Sequence, residues 1–243
     1  MNFYKELSSV YDVVFPKVEE TVEFLCEDLI ENAEVLDLAC GTGIYSLALA
    51  ERGYKVTALD LDKDMIDLAI MKKDKLDVEF FVQDMTTIKD TFNNKKFDLI
   101  FCIGNSLVHL QSREAIDNLI KDISSMLNVG GTIIIQIINY DRILMNNVTS
   151  LPVIRREEQG IEFKRSYRHV EEENVIYFET ELLISKNGKE EKYSNSIKLL
   201  PILSAELLDM VERSKFSIIE LRGEFSGKEY TDESYAFIIK GTK

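Results

Sequence analysis

Basic residues are in short supply in this chain. It has 29 Lys and Arg against 43 Asp and Glu, a formal charge of −14 over 243 residues. Phosphate neutralisation by Lys and Arg supplies most nonspecific affinity for nucleic acid or anionic membrane, so neither is expected as a partner. Histidine is rarer still, with only His109 and His169, and the three cysteines, Cys26, Cys40 and Cys102, form no C-x-x-C pair. An odd cysteine count closes no disulfide framework, and a metal site would need scattered ligands, so none is expected. Three prolines and no Ser/Pro tract leave no disordered linker to expect. No segment reaches the ~18 apolar residues of a bilayer span. The N-terminal MNFYKELSSVYDVVFPKVEE lacks the basic start and apolar stretch of a signal peptide. The expectation is a soluble, reduced, cytoplasmic protein. Internal repeats are absent as well.

What the chain does have is a core. It is 45% hydrophobic with 13 Phe and 10 Tyr. From about residue 33 to 140 strand and helix patterns alternate. AEVLDLA (33–39), YKVTALD (54–60), VEFFVQD (78–84), FDLIFCIGN (97–105) and GGTIIIQIIN (130–139) read as strands. Helices are expected over 43–52, over 62–73 behind an Asp62 cap, and over 112–128. The β-branched run of the fifth strand suits burial on both faces. Such alternation predicts an α/β doubly wound, mainly parallel sheet. From about 150 to 200 the period changes to two, with Ile161, Phe163, Arg165 and Tyr167 on one strand face. Asn187–Gly188 is a strong hairpin turn, so 150–200 is expected to be an inserted antiparallel β region. A helix capped by Ser204 follows, then two closing strands joined by a mobile polar loop, SGKEYTDES.

The informative turn is VLDLACGTGIYSLALAERG, a strand, a tight turn with Gly41 and Gly43, and a helix. In doubly wound sheets ligands bind outside the carboxyl ends of the strands, where this turn lies. The dinucleotide fingerprint needs a third glycine at position 46, which is Ser46. Asp37, just before the turn, suits a cationic ligand better than a polyanion. Asp60 ends the second strand and can accept both hydroxyls of a ribose. Asp84 ends the third. Each alone could be a helix cap; three on one rim beside the glycine turn suggest a site.

These residues resemble the class I S-adenosylmethionine-dependent methyltransferases. The matching pieces are DLACGTG (37–43), ALDLDKDMIDLA (58–69), QDM (83–85), FDLIFCIGNSLVHL (97–110) and LNVGGTIII (127–135). The resemblance implies a Rossmann-like seven-stranded sheet, with 1–149 and 201–243 as the cofactor-binding domain and 150–200 covering the substrate. It implies S-adenosyl-L-methionine as cofactor. Asp37, Ala39, Gly41 and Gly43 would wrap its methionine part, although many members have glycine in place of Ala39. Asp60 would hold the ribose and Leu61 lie on the adenine. Asp84 and Met85 would read the adenine edge, and Cys102 and Ile103 would form the floor. FYKELSSVYD looks like a helix that closes over the cofactor, with Tyr4 and Tyr11 as candidates beside plain core packing. CIGNSLVHL and IINYDRIL look like the glycine and sarcosine N-methyltransferases. There the matching Asn139, with an inserted arginine, would hold the substrate carboxylate.

Arg165 is the favoured arginine, because a charge on an apolar strand face needs an anionic partner. An internal salt bridge is the alternative. Arg142, Arg155 and Arg168 are rivals. His109 is a candidate at the acceptor or as a base, against a plain structural histidine; Cys40 reads as packing. The expected activity is methyl transfer to a small-molecule acceptor, such as the amine of glycine or sarcosine. A protein or RNA methyltransferase and a noncatalytic cofactor-binding module are the alternatives. The absence of an NPPY-like tetrapeptide after strand four, where IGNS stands, disfavours base amines of nucleic acid. The sequence does not define an oligomeric state.

Overall fold

The run TIIIQII can sit at the centre of the sheet because it has apolar partners on both sides. Ile133, Ile135 and Ile137 enter one hydrophobic core and Ile134 enters the other, all but completely buried. Full burial of each such side chain stabilises by roughly 1.5–3 kcal/mol. The computed structural model describes residues 3–186 and 189–243. Two helices open the chain, α1 (Phe3–Val14) and α2 (Glu19–Cys26). Strands β1 (Glu34–Leu38), β2 (Lys55–Asp60), β3 (Val78–Val82), β4 (Phe97–Cys102) and β5 (Leu127–Ile138) then alternate with α3 (Ile44–Glu51), α4 (Lys63–Lys72), α5 (Ile88–Thr91) and α6 (Arg113–Met126). After α7 (Tyr140–Met145) come β6 (Ile154–Arg156), β7 (Ile161–Val170), β8 (Val175–Lys186) and β9 (Lys189–Leu199). Helix α8 (Ser204–Glu212) leads to β10 (Ile218–Arg222) and β11 (Ala236–Thr242).

The main sheet has seven strands in the order β10-β11-β5-β4-β1-β2-β3, and β11 pairs antiparallel with both its neighbours. The chain starts at β1 and winds outward twice, so the switch point lies between β1 and β4 and the glycine turn stands beside it. The doubly wound reading of the sequence holds. Asp62 caps α4 as expected, accepting from the Asp64 and Met65 amides at 2.8 and 3.4 Å. Ser112 likewise caps α6. Ser204 does not cap α8. Its amide donates to Asp141, and Glu206 reaches back to the Leu203 amide instead. That long-range carboxylate was invisible to a local reading.

The second sheet, β6-β7-β8-β9, is antiparallel throughout. The Asn187–Gly188 turn lies outside the described residues. Period-two patterning holds: Ile161, Phe163 and Tyr167 of β7 face inward with Ile176, Thr180, Leu182 and Ile184 of β8. This sheet roofs the main one. Tyr167, Ile176 and Leu199 join the main core, whereas Ile161, Phe163, Leu182 and Ile184 pack on Phe3, Leu7, Val10 and Val14 of α1. Among the described residues no helix is long and apolar enough to cross a membrane.

Candidate active site at the carboxyl edge of the sheet

The glycine turn is a left-handed staircase. Ala39, Gly41 and Gly43 have φ of 64°, 55° and 73°. Gly43 is obligatory: a Cβ there would stand 2.9 Å from the Phe80 ring and 3.0 Å from Ala69 Cβ. Its absence lets α3 begin tightly against β3 and α4. Ala39 holds the left-handed conformation despite its Cβ, at a cost of about 1 kcal/mol.

Asp37 is 2% exposed at the end of β1, and its carboxylate accepts from Ser46 Oγ at 2.5 Å. Ser46 thus occupies the missing-glycine position for a reason: it partners the buried acid. Burial pushes the Asp37 carboxyl up to about 7; the Ser46 bond opposes the rise and the nearby Asp60 charge adds to it. Asp60 accepts from the Gly41 amide at 2.8 Å and the Asp62 amide at 2.9 Å, so it ties β2 to the glycine turn. Burial raises its pKa, and those amide bonds act against the rise. Next to it Leu61 is 72% exposed on the rim. Asp84 is exposed and caps its own turn through the Thr86 amide and hydroxyl, both at 2.8 Å; Met85 leans on the core. Cys102 and Ile103 are buried at the end of β4, and burial pushes the Cys102 thiol up to about 12. Cys40 is also held as a thiol, by burial and by Asp37 and Asp60. Neither is a nucleophile.

Helix α1 closes one side. Tyr11 lies over Gly41, and burial, helped by Asp60 and Asp12, pushes its phenol up to about 12. Asp12 accepts a hydrogen bond from Thr42 Oγ1 in the glycine turn and pairs with Lys72 of α4 at 2.8 Å. Arg156 on β6 donates to the Val13 and Val14 carbonyls and so caps this same C-terminal end of α1. Tyr4 does not join this group. It is 37% exposed with its ring against Phe3, and seven residues of helix, roughly 10 Å, separate it from Tyr11.

Asn139 is the larger correction. It is 1% exposed, and its side-chain NH2 donates to the Asp232 and Ser234 carbonyls, each at 3.0 Å. Its Oδ1 accepts from the Arg142 amide and the Tyr230 hydroxyl. Every hydrogen-bonding position of the amide is taken, so Asn139 clamps the β10–β11 loop rather than holding a carboxylate. The same bonds show that the supposedly mobile loop is fastened. Among the described residues Arg165 has no carboxylate partner: Nη2 donates to the Pro152 carbonyl at 2.9 Å, and its Nε is buried without a partner. His109 stands on the turn after β4, where desolvation lowers its pKa and leaves the ring neutral.

Residues 35–131 match the protein family described as a methyltransferase domain. Over that stretch the chain is similar to S-adenosylmethionine-dependent methyltransferases. Glycine N-methyltransferase of Rattus norvegicus is 34% identical over 122 residues, covering 45% of this chain and 42% of that protein. Glycine/sarcosine N-methyltransferase of Aphanothece halophytica is 32% identical over 130 residues, covering 50% of this chain and 47% of that protein. The chain spans about half the length of the curated relatives it matches. An S-adenosylmethionine-dependent methyltransferase from Clostridium acetobutylicum has the same fold, with a TM-score of 0.82 at 18% identity over 99% of both chains.

The edge of the methyltransferase domain fits a cationic cofactor. Asp37 is a buried acid with no Lys or Arg among the described residues to offset it, and Asp60 stands beside it. Sequence reasoning missed the Asp12–Thr42 and Asp12–Lys72 links, although Asp12 ends the FYKELSSVYD segment. It also missed Asn105, left-handed at φ 66°, whose amide bonds the Tyr140 hydroxyl at 3.0 Å and the Ile138 amide. The Gly104–Asn105 pair after β4 was the available signal.

Proposed function

We propose that the chain is an N-methyltransferase that uses S-adenosyl-L-methionine to methylate a small-molecule amine. Asp37 carries the reading. A carboxylate buried at a glycine turn, raised to about 7 and lacking a cation, is a site for a cationic ligand. The names of the two curated N-methyltransferases support an amino-acid amine as the acceptor, with glycine and sarcosine first to be tried.

S-adenosylmethionine supplies an electrophilic methyl group on a sulfonium. Asp37, Ala39, Gly41 and Gly43 would hold its methionine end, Asp60 its ribose hydroxyls, and Leu61, Asp84 and Met85 its adenine. Tyr11 would cover the turn, with Cys102 and Ile103 as the floor. What remains for the chain is placement, which alone supplies several kcal/mol of barrier reduction when reacting atoms are aligned. An amine must shed its proton before attack. The Tyr11 and Tyr167 phenols stay protonated near neutrality, so the neutral His109 imidazole is the side chain able to take that proton.

Calorimetric titration with S-adenosylmethionine and S-adenosylhomocysteine, with NAD as control, tests the cofactor. Micromolar binding of the adenosyl ligands, weakened in Asp60→Ala, is expected. No adenosyl binding, or binding of NAD instead, overturns the reading. Product release with glycine, sarcosine and other amines then tests the acceptor.

A further inference from the structure

Strand β7 reaches both halves of the candidate site. Its Phe163 ring meets Phe15 edge-on with centroids 5.7 Å apart, and Phe15 meets Tyr11, which lies over Gly41. That chain of rings ends at the glycine turn. Further along the same face, Tyr167 leaves the α1 cluster and joins the main core, its ring 5.5 Å from that of Phe178 on β8. The Thr149 carbonyl holds its backbone amide at 2.9 Å. Burial raises the pKa of Tyr140, and Tyr167 is near enough to add to the rise. The Tyr140 hydroxyl in turn bonds the Asn105 amide on the turn after β4. Phe163 thus serves the β1 side of the edge and Tyr167 the β4 side.

The two phenols of that β4 side differ. Asn105 Nδ2 donates to the Tyr140 hydroxyl at 3.0 Å. Tyr167 is 5% exposed, and its hydroxyl has no partner. Buried hydroxyls almost always have one, and an unpaired one costs stability. Burial pushes the Tyr167 phenol up to about 12, so it is neutral near pH 7. A neutral phenol accepts a hydrogen bond through its oxygen without taking the proton.

An attacking amine must aim its lone pair at the methyl carbon. An N–H on the same nitrogen then points away from that line and is free to be donated. We infer that the Tyr167 hydroxyl accepts an N–H of the attacking amine, and that the chain therefore methylates primary and secondary amines and stops at the tertiary amine. This rests on the N-methyltransferase reading and adds the acceptor's degree of substitution to it. The amine sheds one proton beforehand, to His109 in that reading. Its lone pair then forms the N–C bond while the C–S bond breaks and leaves its electron pair on sulfur. The products are an N-methylammonium and neutral S-adenosylhomocysteine. A neutral secondary amine still has one N–H for Tyr167. A tertiary amine has none, and a carbon substituent stands where the N–H would meet the phenol oxygen. A site built on such a bond discriminates strongly against an analogue that lacks it.

The test offers glycine, sarcosine and N,N-dimethylglycine, and ethanolamine with its N-methyl and N,N-dimethyl forms, to wild type and Tyr167→Phe, with products read by mass spectrometry. Wild type is expected to make secondary and tertiary amines and no quaternary ammonium. Tyr167→Phe is expected to lower kcat/KM for the secondary amine at least about threefold, the loss of one neutral hydrogen bond. S-adenosylhomocysteine affinity should be unchanged, and the urea midpoint equal to wild type or higher, because the hydroxyl is unpaired in the free protein. A hydroxyl with a purely structural bond would lower the midpoint instead. The inference is overturned if wild type makes quaternary product as fast as tertiary, if the substitution leaves kcat/KM unchanged, or if it lowers the urea midpoint; the N-methyltransferase reading survives each of these. If no amine of the set is methylated both fall, and retained S-adenosylhomocysteine binding leaves only the cofactor reading standing.

Discussion

Asp37→Asn should stabilise the free protein while destroying its cofactor site, and the gain should depend on pH. Asp37 is buried, and its carboxyl is raised from 3.8 to about 7. An acid with a folded pKa above its unfolded value binds its proton more tightly in the folded chain. Its contribution to stability is complete below about pH 4 and falls as pH rises toward about 7, after which the deficit is constant. At about 1.4 kcal/mol per tenfold change in proton affinity, the full deficit is roughly 4 kcal/mol. Between pH 5 and pH 8 it grows by roughly 2.5 kcal/mol. Asparagine removes the titration and keeps an oxygen for the Ser46 hydroxyl. Urea denaturation of both proteins at the two pH values isolates the effect, because other titrations cancel in the difference. The variant's advantage should be about 2–3 kcal/mol larger at pH 8 than at pH 5. An equal advantage at both would refute the assignment of a raised, uncompensated acid at position 37. The same variant should lose adenosyl-ligand binding.

Gly43→Ala should cost about 2–4 kcal/mol, since its Cβ meets Phe80 and Ala69 at a positive φ; a urea midpoint within error of wild type contradicts the packing argument. Ala39→Gly relieves a left-handed alanine and should raise stability by about 0.5–1 kcal/mol without changing cofactor affinity, readable by thermal melting and titration. Asn139→Ala orphans two carbonyls and should destabilise by about 2–3 kcal/mol; a change confined to acceptor KM, with stability intact, would return Asn139 to the substrate site. Cofactor affinity should rise with pH through about 7, close to tenfold per pH unit below it, because a bound cation requires Asp37 ionised; a flat profile from pH 5 to 8 counts against this.

The fold was legible because its signals are local and periodic. The β-branched run of β5, the glycine turn and the Asp62 cap each announce themselves within a few residues. The strand-end acids were legible too, since a strand, an acid and a helix start occur in sequence. What stayed hidden depends on contacts between distant segments. Asn139 reads as a ligand in its own motif; only the β10–β11 loop, more than ninety residues away, shows its amide fully used. Ser46 was legible as a departure from a fingerprint, but not as the partner of Asp37. Tyr167 looks like an ordinary strand aromatic until the fold sets its hydroxyl in the interior without a partner.

Helix α1 also sets the direction of traffic. Its buried Phe3, Leu7, Val10 and Val14 are committed to the roof, and stripping all four would cost on the order of 8 kcal/mol. Wholesale detachment is thus too rare to serve as a door. At the other end of the edge Leu61 and Asp84 stand in solvent at the tips of β2 and β3. A ligand that approached the glycine turn across that open rim would need no detachment of α1 from the roof.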